Sequence, residues 1–130
     1  MARARGDGGL TVQIPKPSEQ HKRAFADAVA SLHGAVVKPM FGNLGAFVNG
    51  NMFGGLFGPD LGVRLLEASD TDRLATLPGS GPFGPAERPM GGYVSLPADW
   101  PDHSELVAEW LGLAFDQVSS LPPKPAKIRT

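Results

Sequence analysis

Asn49-Gly50, set between two apolar, glycine-spaced runs, constrains the fold of this chain more than any other pair of residues. A two-residue hairpin needs positive φ at both central positions, which Asn and Gly tolerate best. The flanking runs, about 44–48 and 51–57, therefore read as antiparallel strands, and Pro59-Asp60 turns the chain into a third at about 62–66. Period-two geometry across this meander pairs Phe47 with Met52 and Ala46 with Phe53. It places Phe47, Met52 and Leu56 on one face, with Leu44, Ala46, Val48, Phe53 and Phe57 on the other. Both faces are apolar. Either helices cover both, or one awaits a partner chain or ligand, with Met40, Phe41, Phe47, Met52, Phe53 and Phe57 as the candidate interaction surface. Gly54-Gly55 inside a strand marks a bulge or the close approach of another backbone.

Helical spacing surrounds the meander. Ser18 reads as the N-cap of a first helix over about 19–32, with Phe25, Ala28, Val29 and Leu32 forming its buried stripe and Gly34 stopping it. Val36–Met40 reads as an extended linker. After the meander, 69–77 reads as a short helix capped by Ser69 or Asp70, with Leu74 and Leu77 facing inward. Residues 78–89 read as a loop, 90–96 as a strand, and about 105–120 as a last helix with Ser104 as cap and a broad apolar face through Trp110 and Leu111. The order is one helix, three strands, a helix, one or two strands and a helix. This is an α+β domain with helices packed on an antiparallel sheet.

The chain has 130 residues, the size of one domain, and no cysteine, which excludes disulfides, thiolate catalysis and cysteine-ligated zinc. Residues 1–17 read as a disordered or partly extended tail in which Leu10–Ile14 offers a short edge strand. Residues 18–121 read as the folded domain, and 122–130 as a basic, proline-rich tail. The net charge of −1 conceals an asymmetry. The N-terminal tail is +2 and the C-terminal tail +3, which leaves −6 on residues 18–121. An acidic core does not grip a phosphate backbone, so direct DNA binding is not expected of it. The start lacks the apolar stretch of a secretory signal, and no apolar run reaches membrane-spanning length, so a cytoplasmic protein without a membrane partner is expected.

Chemical motifs are few. Gly79-Ser80-Gly81-Pro82-Phe83-Gly84 matches G-x-G-x-x-G literally, but no helix opens after it and Pro82 removes a donor, so a phosphate-binding role is not expected. His21, His33 and His103 lack ligand spacing, and Asp70 and Asp72 suit the start of a helix. Ser80 has no elbow motif and no evident base. No catalytic residue, metal or cofactor is expected. A cation in a strand between Val63 and Leu65 points away from the core. Arg64 with Arg88 and Tyr93 therefore forms a candidate anion or small-molecule site, since a guanidinium offers a fixed fork of donors.

Taken as an ordered set, Met40-Phe41-Gly42, Gly45-x-Phe47, Gly50-x-Met52-Phe53, Arg64, Pro82-Phe83, Arg88-Pro89-Met90 with Tyr93 and Pro97, and the Trp110 helix resemble the TfoX/Sxy N-terminal domain family over about residues 20–121. The resemblance implies a small α+β fold of order α-β-β-β-α-β-β-α, related to secretion-chaperone-like architecture. It further implies a bacterial regulator: the family's namesakes regulate natural competence, acting with the cyclic-AMP receptor protein at promoters. Those namesakes carry a second, helical C-terminal domain, and this sequence is expected to be a single-domain member. Arg64 stands where the family often has lysine. The combined expectation is a non-enzymatic module that binds a protein partner or itself.

Overall fold

The computed structural model describes residues 15–40, 42–85 and 87–123. The proposed Leu10–Ile14 strand, Phe41, and most of the basic C-terminal tail lie outside the described residues. Three helices, α1 (Glu19–Ala30), α2 (Ala68–Ala75) and α3 (Ser104–Ser119), pack on a sheet of six strands. The strands are β1 (Val36–Met40), β2 (Asn43–Val48), β3 (Asn51–Phe57), β4 (Asp60–Arg64), β5 (Gly81–Pro82) and β6 (Tyr93–Ser95), in the spatial order β1-β2-β3-β4-β6-β5. Every neighbouring pair is antiparallel, so the fold is α+β as expected.

α1 begins where its cap predicts. The Ser18 hydroxyl accepts the His21 backbone N–H at 3.1 Å, replacing a bond that the first turn cannot supply. Phe25 and Val29 are buried from the expected stripe. The helix ends at Ala30, two residues early, where the Ser31 hydroxyl donates back to the Ala28 carbonyl at 2.9 Å. α2 starts from Glu67 rather than Ser69 or Asp70. Asp70 instead accepts from Arg73 at 3.1 Å and from Gln117 of α3 at 2.7 Å. Ser104 is the first residue of α3, and His103 is the cap, without a side-chain bond.

Two segments read as linker and loop are strands. Val36–Met40 pairs along its whole length with β2, from Val36↔Phe47 to Met40↔Asn43. Pro39 disguised it, yet a proline without N–H is tolerated in an edge strand. Gly81-Pro82 likewise lies inside the expected loop but pairs with β6, and the Ser95 hydroxyl donates to the Gly81 and Pro82 carbonyls at 3.2 and 2.9 Å.

The hairpin turn is as expected, with φ of 53° at Asn49 and 80° at Gly50. Phe47 pairs with Met52, but the next pair is Ala46↔Gly54, leaving Phe53 as an extra residue. This bulge corrects the expected faces. Phe53, expected opposite Ala46 and on an interaction surface, is 0% exposed and meets Phe115 of α3 edge-on at 5.3 Å. Beyond it the alternation is inverted: Leu56 enters the core and Phe57 turns to the opposite face.

Among the described residues, helices cover one face only. α3 lies across β2, β3 and β4, with α1 against α3 and β1, and α2 against β6. Between them Ala46, Val48, Phe53, Leu56, Leu61 and Val63 meet Phe25, Leu74, Trp110 and Leu111 in one core. At one end of the sheet Trp100 is fully buried, donating its indole N–H to the Pro59 carbonyl at 2.8 Å beside the ring of His21. Partial burial raises the Asp60 carboxyl above its ordinary value there, against a smaller opposing effect of His21. Residues 15–17, read as tail, join the folded part. Pro17 is buried, and Asn43 donates to the Pro15 carbonyl at 3.1 Å while accepting the Gly58 N–H at 2.8 Å.

Gly62 offers a sharp check on this packing, because an added Cβ would sit 2.3 Å from the ring of Phe83, itself buried. Gly62→Ala is expected to lower stability by about 1–3 kcal/mol through overpacking. Gly81→Ala, where nothing lies within 4 Å of the new methyl, is expected to stay within about 0.5 kcal/mol of the parent in urea unfolding.

Candidate interaction face

The face away from the helices is built around glycine. Gly45 pairs with Gly55, and Gly55 with Gly62, so three glycines stand side by side across β2, β3 and β4. Lys38 and Ser95 extend the row into β1 and β6, and Gly81 ends it in β5. Missing side chains leave a shallow trough across the strands. Larger neighbours lie down in it. The Met40 sulfur and the Phe47 ring come within 2.8 and 3.0 Å of where a Gly45 Cβ would stand, and the Met52 methyl within 2.5 Å of that at Gly55. Phe83 lies on Gly62 in the same way, with only 2% of its surface exposed.

Phe83 is the centre of an aromatic group that the sequence reading did not single out. Tyr93 stacks on it at 5.8 Å and 27°, and Phe57 meets it edge-on at 6.4 Å. A literal G-x-G-x-x-G thus serves as edge strand and aromatic plug rather than phosphate loop. The Ser80 hydroxyl within it is buried without a hydrogen-bond partner among the described residues. Pro82-Phe83, quoted as part of a family pattern, was the signal available for Phe83. Its position over a glycine two strands away in the sheet was not.

Arg64 and Tyr93 are direct cross-strand neighbours. Val63 and Leu65 are buried on either side, so Arg64 faces the trough, half-buried. The Tyr93 hydroxyl reaches across to donate to the Met52 carbonyl at the bulge, at 3.4 Å. Burial raises the Tyr93 phenol above its ordinary value of 10.0, and the Arg64 charge partly offsets this. Arg88 is exposed in the loop after β5, where its backbone N–H donates to the Pro85 carbonyl. Lys38 places its ammonium over the Phe47 ring at 5.3 Å. Of the residues expected on an interaction surface, Met40, Phe47, Met52 and Phe57 share this face and are half-buried. Phe53 belongs to the core, and Phe41 lies outside the described residues.

With this geometry in place, comparison with protein-family models returns the TfoX N-terminal domain over residues 27–118, from the middle of α1 to the end of α3. The chain belongs to the TfoX N-terminal domain family. That match spans the whole sheet, so the glycine row, Phe83 and the Arg64–Tyr93 pair all lie within the TfoX domain proper. No curated protein and no solved structure matches the chain. Among the described residues of this TfoX domain, no helix is long and apolar enough to cross a membrane, and no three His, Asp or Glu side chains are grouped to hold a metal.

The single tyrosine of the chain makes its titration readable by ultraviolet absorbance. Because its folded pKa is raised, it contributes stability that is present below the unfolded value of 10.0 and lost as pH rises through the folded one. The expected midpoint lies above that of the urea-unfolded chain. Arg64→Gln is expected to move it higher still, since the cation that favours phenolate is gone. A midpoint unchanged by that substitution would show that Arg64 and Tyr93 do not interact.

Proposed function

We propose that this domain is a non-enzymatic protein–protein interaction module of the transcription or competence regulator type, and that it binds through the helix-free face of its sheet. One observation carries the reading: a face of half-buried Phe47, Met52 and Phe57 around a glycine trough, left without a helix among the described residues. Membership of the TfoX N-terminal family supports the regulatory part. Methionine suits such a surface because its unbranched, polarisable chain repacks around different partners.

The alternative reading, a small-molecule or anion-binding domain using Arg64, Tyr93 and Arg88, has less support. Tyr93 has already given its hydroxyl to Met52, and Arg88 is exposed in the loop after β5. A cleft of about 310 Å³ lies on the opposite side of the molecule, lined by Ala24, Ala28, Trp100 and Val107.

Site-specific photo-crosslinking in cells tests the interaction reading. A benzophenone side chain is introduced at Phe47 or Met52, and, as a comparison, at Ala108 on the exposed side of α3. Adducts are expected from the two sheet positions and not from Ala108, whether they join a different protein or a second copy. Adducts from Ala108 alone would move the interface to the helices and refute the reading.

A further inference from the structure

The domain is electrostatically two-sided. α1 holds two carboxylates, α2 with its cap three, the 3-10 turn Trp100–Asp102 with its cap two, and α3 three, making ten against Lys22, Arg23 and Arg73. The six strands hold Lys38 and Arg64 against Asp60 alone. Asp60 begins β4, four residues or about 13 Å along the strand from Arg64. It lies at the end of the sheet where His21 is close enough to act on its carboxyl. An overall acidic domain thus turns an apolar face with two cations outward.

These cations are placed differently from those of the helices. Lys22 pairs with Glu19 at 3.1 Å, and Arg73 pairs with Asp70 at 3.1 Å while lying over Trp110. Arg64 makes no ion pair among the described residues, although it is half-buried between two core positions and beside the half-buried ring of Tyr93. A partly desolvated guanidinium without an ion pair among the described residues is a site that a carboxylate fills favourably. Lys38 stands at the other end of the trough, its ammonium over Phe47. Between the two, Met40, Phe47 and Met52 cover the glycines with side chains that can move aside.

We infer that the helix-free face binds an acidic peptide segment with apolar anchors, a carboxylate pairing with Arg64 while aliphatic or aromatic side chains settle on the Met40–Phe47–Met52 cover. The inference rests on the interaction-module reading and adds the chemistry of the partner. Charge complementarity carries it: the face is cationic, and the rest of the same domain repels acidic chains, so an acidic peptide is steered to one side.

Fluorescence anisotropy with three labelled synthetic peptides tests this on the full chain: alternating aspartate and leucine, alternating lysine and leucine, and alternating aspartate and serine. The aspartate–leucine peptide is expected to bind, more weakly as salt rises, and the other two are not. Arg64→Gln is expected to weaken binding by about tenfold, the scale of one charge-assisted contact, with Arg64→Lys retaining most of it. Arg23→Gln on exposed α1 is expected to leave it unchanged. Equal binding by Arg64→Gln, or of the lysine peptide, overturns the inference, as does failure of the aspartate–leucine peptide to bind. If the lysine peptide binds and Met52→Asp abolishes that binding, the face is still an interaction surface and only the acidic partner is wrong. If no peptide binds and Phe47 and Met52 give no crosslinks, both readings fall. Concentration-dependent self-association that displaces the aspartate–leucine peptide assigns the face to a second copy and overturns the peptide.

Discussion

Phe53 has no partner on β2, and most of the molecule's two-sidedness follows from that. Without the bulge, strict alternation would put Phe57 in the core and Leu56 on the outer face. With it, the buried side of β3 runs Phe53 and then Leu56, which meet α3 and the rest of the core. Met52, Gly55 and Phe57 turn outward, together with Gly45 of β2 and Gly62 of β4. Three glycines fall into register only because one residue was inserted between the turn and Gly54. The bulge therefore sets both the core contact of β3 and the trough behind it.

Tyr93 ties these two consequences together. Its hydroxyl reaches the Met52 carbonyl beside the bulge, and its ring stacks on Phe83, which fills the place of a Gly62 side chain. The bond reaches from β6 across β4 to the residue that precedes the bulge. β5 and β6 are short, of two and three residues, and Ser95 adds side-chain bonds to the backbone of β5 where the ladder supplies few.

The meander was legible because its signals are local. Asn-Gly needs only its own φ angles, and Ser18 needs only the N–H three residues on. Strand β1 and strand β5 were hidden for the opposite reason: each is short, carries a proline and exists through its neighbour rather than its own pattern. The bulge was signalled by Gly54-Gly55, but its exact residue decides the face of everything after it, and a position error of one reverses the assignment. Hence Phe47 and Met52 fall together on their cross-strand pairing and Phe53 falls with Ala46 and Val48, although it also stands in the candidate interaction surface, while Leu56 and Phe57 are exchanged. The Arg64–Tyr93 pairing was approachable from alternation in each strand. The loop position of Arg88 was not, because nothing periodic fixes a residue between β5 and β6.

The trough has a stiff end and a soft end, and this difference bears on how the face recognises a partner. At the stiff end Phe83 is almost fully covered, clasped by Phe57 and Tyr93 and seated on Gly62, so Arg64 projects from a fixed background. At the soft end Met40 and Met52 cover glycines with unbranched chains that are half-buried. A guanidinium held on a rigid platform selects charge and direction, because little freedom is lost when it pairs. A methionine cover selects only apolar bulk and adapts to its shape. On the proposed function, the combination would fix the register of an incoming chain at one residue while tolerating variety in its neighbours.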